Sequence, residues 1–366
     1  MTAVQHVRVE GPAYQRGQQY GTQAAERVRS SVRAYERVFA HLTGWDWPAV
    51  RREAARFATP IGEFRPGYLD EMRGIADGAG LDLADILAIN VRTEIMYAAK
   101  ARQAPLAECS AFARAPAPGQ PGGPVIGQNW DWLSHAAQTL VVLEARPEDG
   151  PDFVTVVEAG LLAKAGLNSA GLGLVTNAMV TGADAGEPGL PYHVLLRAIL
   201  DCGTVTAALE VLQAGPRSSS ANYLVAQAGG GALDIEAAPG DVTRLYPLFP
   251  DEDGLLLHTN HFQSARFQAN GSAPADLGLW AMPSSAVRLQ RLRAGAGKRD
   301  LDGFGALLAD HADYPRGICA HADPAIGPLD QSVTIASLLM DTESRQIWLA
   351  AGNPCQVPYQ RLDISL

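Results

Sequence analysis

The stretch "PLAECSAFAR" sets Cys109 between Glu108 and Ser110, with the apolar Phe112 close behind. A thiolate is a strong nucleophile, and an isolated cysteine needs only a base and a polarised carbonyl to do acyl chemistry. The four cysteines, Cys109, Cys202, Cys319 and Cys355, are far apart, so neither a disulfide framework nor a Cys-x-x-Cys redox pair accounts for Cys109. Three readings stand open: a buried space-filler, an internal nucleophile, or the first residue of a new chain made by self-cleavage. Two other pairs have ligand-like spacing. His258 and His261 are three apart, and Cys319 and His321 are two apart. The pairs fall in separate segments and no HExxH-type helix supplies a general base, so no metal is expected. On this reading His311 and His321 are ordinary histidines. The glycine run Gly229–Gly231 falls between two strand-like segments, where a phosphate loop would have to open a helix, and no cofactor is expected.

The elements that must position Cys109 change character at that residue. From 12 to about 100, apolar and small residues recur at three- and four-residue spacing. They predict helices over 13–42, 49–58, 68–79 and 82–99, with Asp82 capping the last and little strand. Gly17 and Gly21 share one helix face and permit a close backbone approach. After Cys109 the chain turns to short apolar runs punctuated by Gly, Pro and Asp: "PVIGQNW", "TLVVLEARP", "DFVTVVEAG" and "LGLVTNAM" read as consecutive strands and hairpins, and the Pro- and Gly-rich "ARAPAPGQPGGP" at 113–124 as a hairpin loop. Two helices, further strands, two more helices and two closing strands follow, with Asn168 and Gly171 read as turn residues. The order predicts an α+β fold of layered sheets and helices. Residues 1–108 form a helical segment and 109–366 a strand-rich portion, together one structural domain. A cysteine that opens the strand-rich portion favours the self-cleavage reading.

Totals narrow the function. The chain has 366 residues, 47% hydrophobic and 19% charged, in the range of a globular protein with a sizeable core. A net charge of −10 without clustered basic residues argues against nucleic acid as a partner. The N-terminal stretch lacks an apolar leader and no run is long and apolar enough for a membrane span, so a cytoplasmic location is expected and no membrane association. Only three lysines occur, Lys100, Lys164 and Lys298.

Several blocks, in order around Cys109, resemble one family. "GQNWDW" at 127–132, "VEAGLLAKAGLNSAGLGLVTNAM" at 157–179 and "HTNH" at 258–261 are similar to the acyl-coenzyme A:6-aminopenicillanic acid (isopenicillin N) acyltransferases. "GPAYQRGQQYG", "NVRTE" and "DYPRGIC" extend the resemblance over nearly the whole chain. It implies a self-processing N-terminal-nucleophile cysteine hydrolase with a four-layer αββα sandwich, made as a precursor and cut at Glu108–Cys109. By the same resemblance Cys109 is the nucleophile, Asp131 the carboxylate that contacts its freed amine, and Asn260 the amide that supports the oxyanion. Asn177 is a second oxyanion candidate, and Ser110 keeps the hydroxyl found as threonine in the fungal enzyme. Trp130 and Trp132 read as core packing, and Glu94 and Glu158 as structural.

The chain departs from the family pattern in two places, and a third position separates it from related hydrolases. Glu108 stands where the fungal enzyme has glycine, which bears on the rate of cleavage. "DQSVT" replaces a serine–arginine pair near the C-terminus, which bears on penicillin-type substrates. Gln128 stands where bile-salt and penicillin V hydrolases have arginine, which places the chain on the acyltransferase side. The expected substrate is a small acyl amide, peptide or β-lactam-like compound, or a coenzyme A thioester. The other expected partner is the chain's own cleaved fragment, held as a heterodimer. Two alternatives stand against this reading: a catalytically silent amide binder and a zinc-dependent hydrolase.

Overall fold

A computed structural model describes residues 4–99, 108–116, 122–297 and 300–366. The loop expected over 113–124 therefore lies partly outside the described residues. The chain opens with a strand, β1 (Gln5–Gly11), followed by α1 (Ala13–Gln23), α2 (Ala25–Thr43), α3 (Trp47–Ala55), α4 (Ala58–Phe64), α5 (Pro66–Ala79), α6 (Leu83–Asn90) and α7 (Arg92–Ala98). The single helix expected over 13–42 is two, broken at Ala24, which leaves helical geometry with φ −108° and ψ 20°. The start of α6 is fixed as expected at Asp82, whose backbone N–H donates to the Asp85 carboxylate at 3.0 Å.

The expected close approach is made by α1 and α5, and it is reciprocal. A Cβ added at Gly17 would lie 2.0 Å from the Glu71 carbonyl oxygen, and one at Gly21 2.2 Å from that of Ile75. Gly74 and Gly78 of α5 meet Tyr14 and Gln18 in the same way. Backbone oxygens cannot swing aside as a side chain can, so the helices must separate if either face gains a methyl. Gly21→Ala should destabilise the protein by about 1–3 kcal/mol, the usual cost of overpacking, read as a lower denaturant midpoint. An unchanged midpoint would mean the helices are not held at this distance.

From Cys109 onward the chain forms β2 (Ser110–Arg114), β3 (Val125–Leu133), β4 (Leu140–Pro147), β5 (Phe153–Glu158), β6 (Ala165–Asn168), β7 (Leu172–Ala178), α8 (Tyr192–Leu200), α9 (Val205–Gln213), β8 (Ala221–Gln227), β9 (Gly231–Ala237), β10 (Leu245–Leu248) and β11 (Leu255–His258). Then come α10 (Ala265–Ala269), α11 (Gly278–Ala281), α12 (Ser285–Ala296), α13 (Leu301–Leu308), β12 (Ser332–Asp341), β13 (Gln346–Ala350) and β14 (Gln360–Arg361). Eight strands form one sheet in the order β1-β4-β5-β6-β7-β8-β9-β10, and six form the other in the order β11-β2-β3-β12-β13-β14. β1 runs parallel to β4, with Gln5 opposite Val141 and Gly11 opposite Pro147.

The two sheets pack face to face, with helices outside. Along β2 the side chains alternate: Cys109, Ala111 and Ala113 belong to the main core between the sheets, while Phe112 belongs to a second core. There its ring stacks on Phe304 of α13 at 3.9 Å. Gln128 crosses the inter-sheet layer, its Oε1 accepting from the Thr176 backbone N–H of β7 at 2.8 Å. On the far side of β7, Thr176 Oγ1 is 2.7 Å from the Tyr192 hydroxyl of α8. The layers are thus helix, sheet, sheet, helix, the αββα sandwich the resemblance implied. Two expectations are corrected. The segment before Cys109 is not purely helical, because β1 is an edge strand of the larger sheet. And β3 and β4, consecutive in sequence, do not pair but enter different sheets.

Candidate active site

Cys109 sits at the mouth of β2, fully buried. The β2–β3 register puts Ser110 opposite Asn129, which brings the strand start alongside Asp131. The Cys109 thiol points to the Asp131 carbonyl oxygen, 3.6 Å away. Burial pushes this thiol up to about 11, and nearby Lys164 pulls it back down. Burial thus favours the neutral thiol in the intact chain.

Asp131, also fully buried, is held by one oxygen: Oδ1 accepts from Thr334 Oγ1 at 2.6 Å. Its Oδ2 has no hydrogen-bond partner among the described residues. Burial pushes the carboxyl up to about 8, against the Thr334 hydrogen bond and the Arg288 charge, which pull it down. A buried carboxyl oxygen without a hydrogen-bond partner is costly.

Arg288 of α12 links the rest, and it escaped the sequence reading. One guanidinium nitrogen, Nη1, donates to the Cys109 carbonyl oxygen at 2.6 Å and to Ser110 Oγ at 3.1 Å. The other, Nη2, donates to Asn260 Oδ1 at 2.8 Å. Fixing that oxygen fixes the amide, whose Nδ2 donates to the Ala178 carbonyl at 2.8 Å. Asn260 is thereby brought beside β7, next to Asn177, whose side-chain Oδ1 and Nδ2 are both buried without a partner among the described residues. Gln128 contributes Oε1 to Thr176, and its Nε2 is likewise unmatched. Glu108 accepts from the Ser284 hydroxyl at 2.9 Å, and Ser284 accepts in turn from Arg288 Nε at 2.9 Å.

Lys164 was also missed. Its ammonium donates to the Tyr192 hydroxyl at 2.9 Å and lies over the rings of Tyr192 and Trp130. Burial lowers it to about 8, while a thiolate at Cys109 would raise it. One signal was available in the sequence: a lysine in the apolar stretch "GLLAKAGLN" of a chain with three lysines in all.

Other residues fall where the sequence reading put them. Glu158 pairs with Arg92 at 2.8 Å and accepts from the Tyr35 hydroxyl at 2.8 Å, and Glu94 accepts from the Tyr192 backbone and from Ser219. Trp130 and Trp132 are buried, the latter donating to Tyr35 at 2.7 Å. His258 is occupied by Glu236 at 2.9 Å and by the Thr259 carbonyl at 2.7 Å, and His261 faces Ser285. Among the described residues, neither belongs to a group of side chains that could hold a metal.

A profile of the family described as acyl-coenzyme A:6-aminopenicillanic acid acyl-transferase matches residues 119–356. The acyl-coenzyme A:6-aminopenicillanic-acid-acyltransferase 40 kDa form of Emericella nidulans is 28% identical over 293 residues, covering 79% of this chain and 76% of that protein. Among solved structures, a conjugated bile acid hydrolase variant from Clostridium perfringens has 13% identity and a TM-score of 0.43, covering 70% of this chain and 97% of that one. The Caenorhabditis elegans orthologue of N-acylethanolamine-hydrolyzing acid amidase has 15% identity and a TM-score of 0.41, covering 64% and 93%.

Proposed function

The chain belongs to the acyl-coenzyme A:6-aminopenicillanic acid acyl-transferase family, and from that premise we propose that it is a self-processing cysteine amidohydrolase or acyltransferase with Cys109 as nucleophile. The observation that carries the reading is the orphaned Oδ2 of buried Asp131 beside a buried cysteine. Among the described residues of the intact chain that oxygen has no donor. Once the bond before Cys109 is cut, a new ammonium arises at the cysteine and supplies both the donor and the opposite charge.

Cleavage proceeds within the chain. The Cys109 sulfur attacks the Glu108 carbonyl carbon, the C–N bond breaks, and the nitrogen takes up a proton to become the free α-amine. Water then hydrolyses the thioester, leaving a carboxylate on Glu108 and the thiol restored. In the mature enzyme the α-amine, with an ordinary pKa of about 7.7–8.0, exchanges a proton with the thiol at little cost near neutral pH. Asp131 orients that amine. Lys164 and Arg288 supply the positive field that favours the thiolate. The thiolate attacks a substrate amide or thioester carbonyl, Asn260 with Asn177 supports the oxyanion, and the acyl-enzyme passes to water or to an amine. The substrate class is a small acyl amide, peptide or β-lactam-like compound, with coenzyme A thioesters as candidate donors. Full burial of Cys109 before cleavage fits a silent precursor that opens when the new ends move apart.

Turnover of a chromogenic acyl anilide tests this reading, and Asn260→Ala sharpens it. Loss of one oxyanion donor should lower kcat about 10²–10³-fold with KM close to normal. A loss confined to KM would make Asn260 a substrate contact instead.

A further inference from the structure

The loop between α13 and β12 and the chain after β13 bring together four side chains that the acyl chemistry does not use. His311, Cys319, His321 and Cys355 each offer one ligand atom, and all four atoms lie within 4.8 Å of one another. Cys319 Sγ is 3.6 Å from Cys355 Sγ, and each sulfur is 3.5 Å from His321 Nε2. A tetrahedral ion with Zn–S bonds of about 2.3 Å and Zn–N bonds of about 2.0–2.1 Å has S···S edges of about 3.8 Å and S···N edges of about 3.6 Å. The three separations match that polyhedron. They do not match a disulfide, whose sulfurs stand about 2.0 Å apart.

The surroundings also supply a side-chain donor to one of the sulfurs. Asn353 Nδ2 donates to Cys319 Sγ at 3.4 Å, and the same amide group donates to the Ala320 carbonyl at 2.6 Å. Such outer donors orient and stabilise metal-bound sulfur. The backbone is pinned on both sides, with Cys319 N–H donating to the Asp310 carbonyl at 2.9 Å and His321 N–H to that of Pro315 at 2.8 Å. Cys319 is buried, whereas His311 and Cys355 are exposed, so an ion can enter from solvent.

We propose that His311, Cys319, His321 and Cys355 bind a structural zinc ion that ties the loop before β12 to the chain after β13. Two thiolates and two imidazoles select zinc among common divalent ions, and four protein ligands leave no open position for a substrate. This reverses the expectation that His311 and His321 are ordinary histidines. It also differs from the catalytic zinc weighed from sequence, because Cys319 and His321 are completed by His311 and Cys355, not by His258 and His261. The ion would act at a distance on the site. Ala320, between two of the ligands, exchanges two hydrogen bonds with Thr334, at 2.9 and 3.0 Å, and Thr334 holds Asp131. Thr334 is thus a positioning residue anchored on the metal loop.

Elemental analysis of untagged protein purified without chelator should find about one zinc per chain, lost in both Cys355→Ala and His311→Gln. These two positions are exposed, so their replacement leaves the core intact. Chelator-stripped wild-type chain should take up cobalt with tetrahedral d–d and thiolate charge-transfer absorption, and Cys355→Ala should not. Three results would overturn the proposal. The first is a wild-type chain that carries no metal and takes up no cobalt, the second is zinc retained in both variants, and the third is a mass two hydrogens short from a Cys319–Cys355 disulfide.

Discussion

Cys109→Ala should give one uncut chain with no turnover, because it removes the attacking sulfur and, by blocking cleavage, the amine that would serve it. Wild-type protein should run on denaturing gels as two bands of about 11 and about 27 kDa, each the share by length of a 38.8 kDa chain. The pieces should co-migrate on native sizing. The smaller one supplies β1 as an edge strand of the larger sheet. Its helices are also stitched into the rest: the Gly160 N–H donates to the Tyr20 hydroxyl at 2.9 Å, the Leu162 N–H to Asn90 Oδ1 at 3.0 Å, and Arg92 pairs with Glu158. Dissociation would expose these buried polar groups along with the apolar faces of α1, α2 and α5. Cys109→Ser should cut more slowly, since a hydroxyl makes the same shift less readily. An uncut Cys109→Ala chain that still hydrolyses an amide would remove Cys109 from the reaction.

Asp131→Asn should cost about 10²–10⁴-fold in turnover, the range for a lost acid–base element, while leaving the fold intact. The same substitution should stabilise the precursor, and the sign follows from linkage. In the uncut chain burial pushes the folded carboxyl up to about 8 from its ordinary 3.8. Between those values the folded state holds a proton that the unfolded state has lost, so stability falls as pH rises through the window and is lowest above it. Asparagine has no such titration, and its Oδ1 still accepts from Thr334. In the Cys109→Ala background, where neither protein is cut, adding Asp131→Asn should raise the denaturant midpoint at pH 8 and leave the gap smaller at pH 5. Equal pH dependence with and without Asp131 would mean the carboxyl is not buried uncharged in the precursor.

Much of this was legible in the sequence where one residue type decides the outcome. The change of texture at Cys109, the Asp82 cap, the Asn168–Gly171 turn and the Gly17/Gly21 face all rest on local chemistry, and each is found. The Asn168 Oδ1 accepts from the N–H groups of Ala170 and Leu172, as a turn asparagine does. What escaped depends on contacts remote in sequence. β1 shows only Val7 and Val9 as buried alternating residues in a short polar stretch, and its partner β4 lies more than a hundred residues away. β6 spans only Ala165–Asn168, too short for a period. The division of β3 and β4 between two sheets is a matter of packing that no hairpin pattern announces. Arg288 reads as one more arginine on an arginine-rich helix until the fold turns it inward onto Cys109 and Asn260. The ligand-like cluster on the loop before β12 joins residues that span 311 to 355, and only the fold brings Cys355 to the other three.

The most direct measurement of the central claim is the intact mass and N-terminal sequence of freshly purified wild-type protein. The account predicts two fragments, the larger beginning Cys109-Ser110-Ala111-Phe112, whose masses sum to that of the intact chain plus one water. A single unprocessed chain that nevertheless turns over an amide would contradict it.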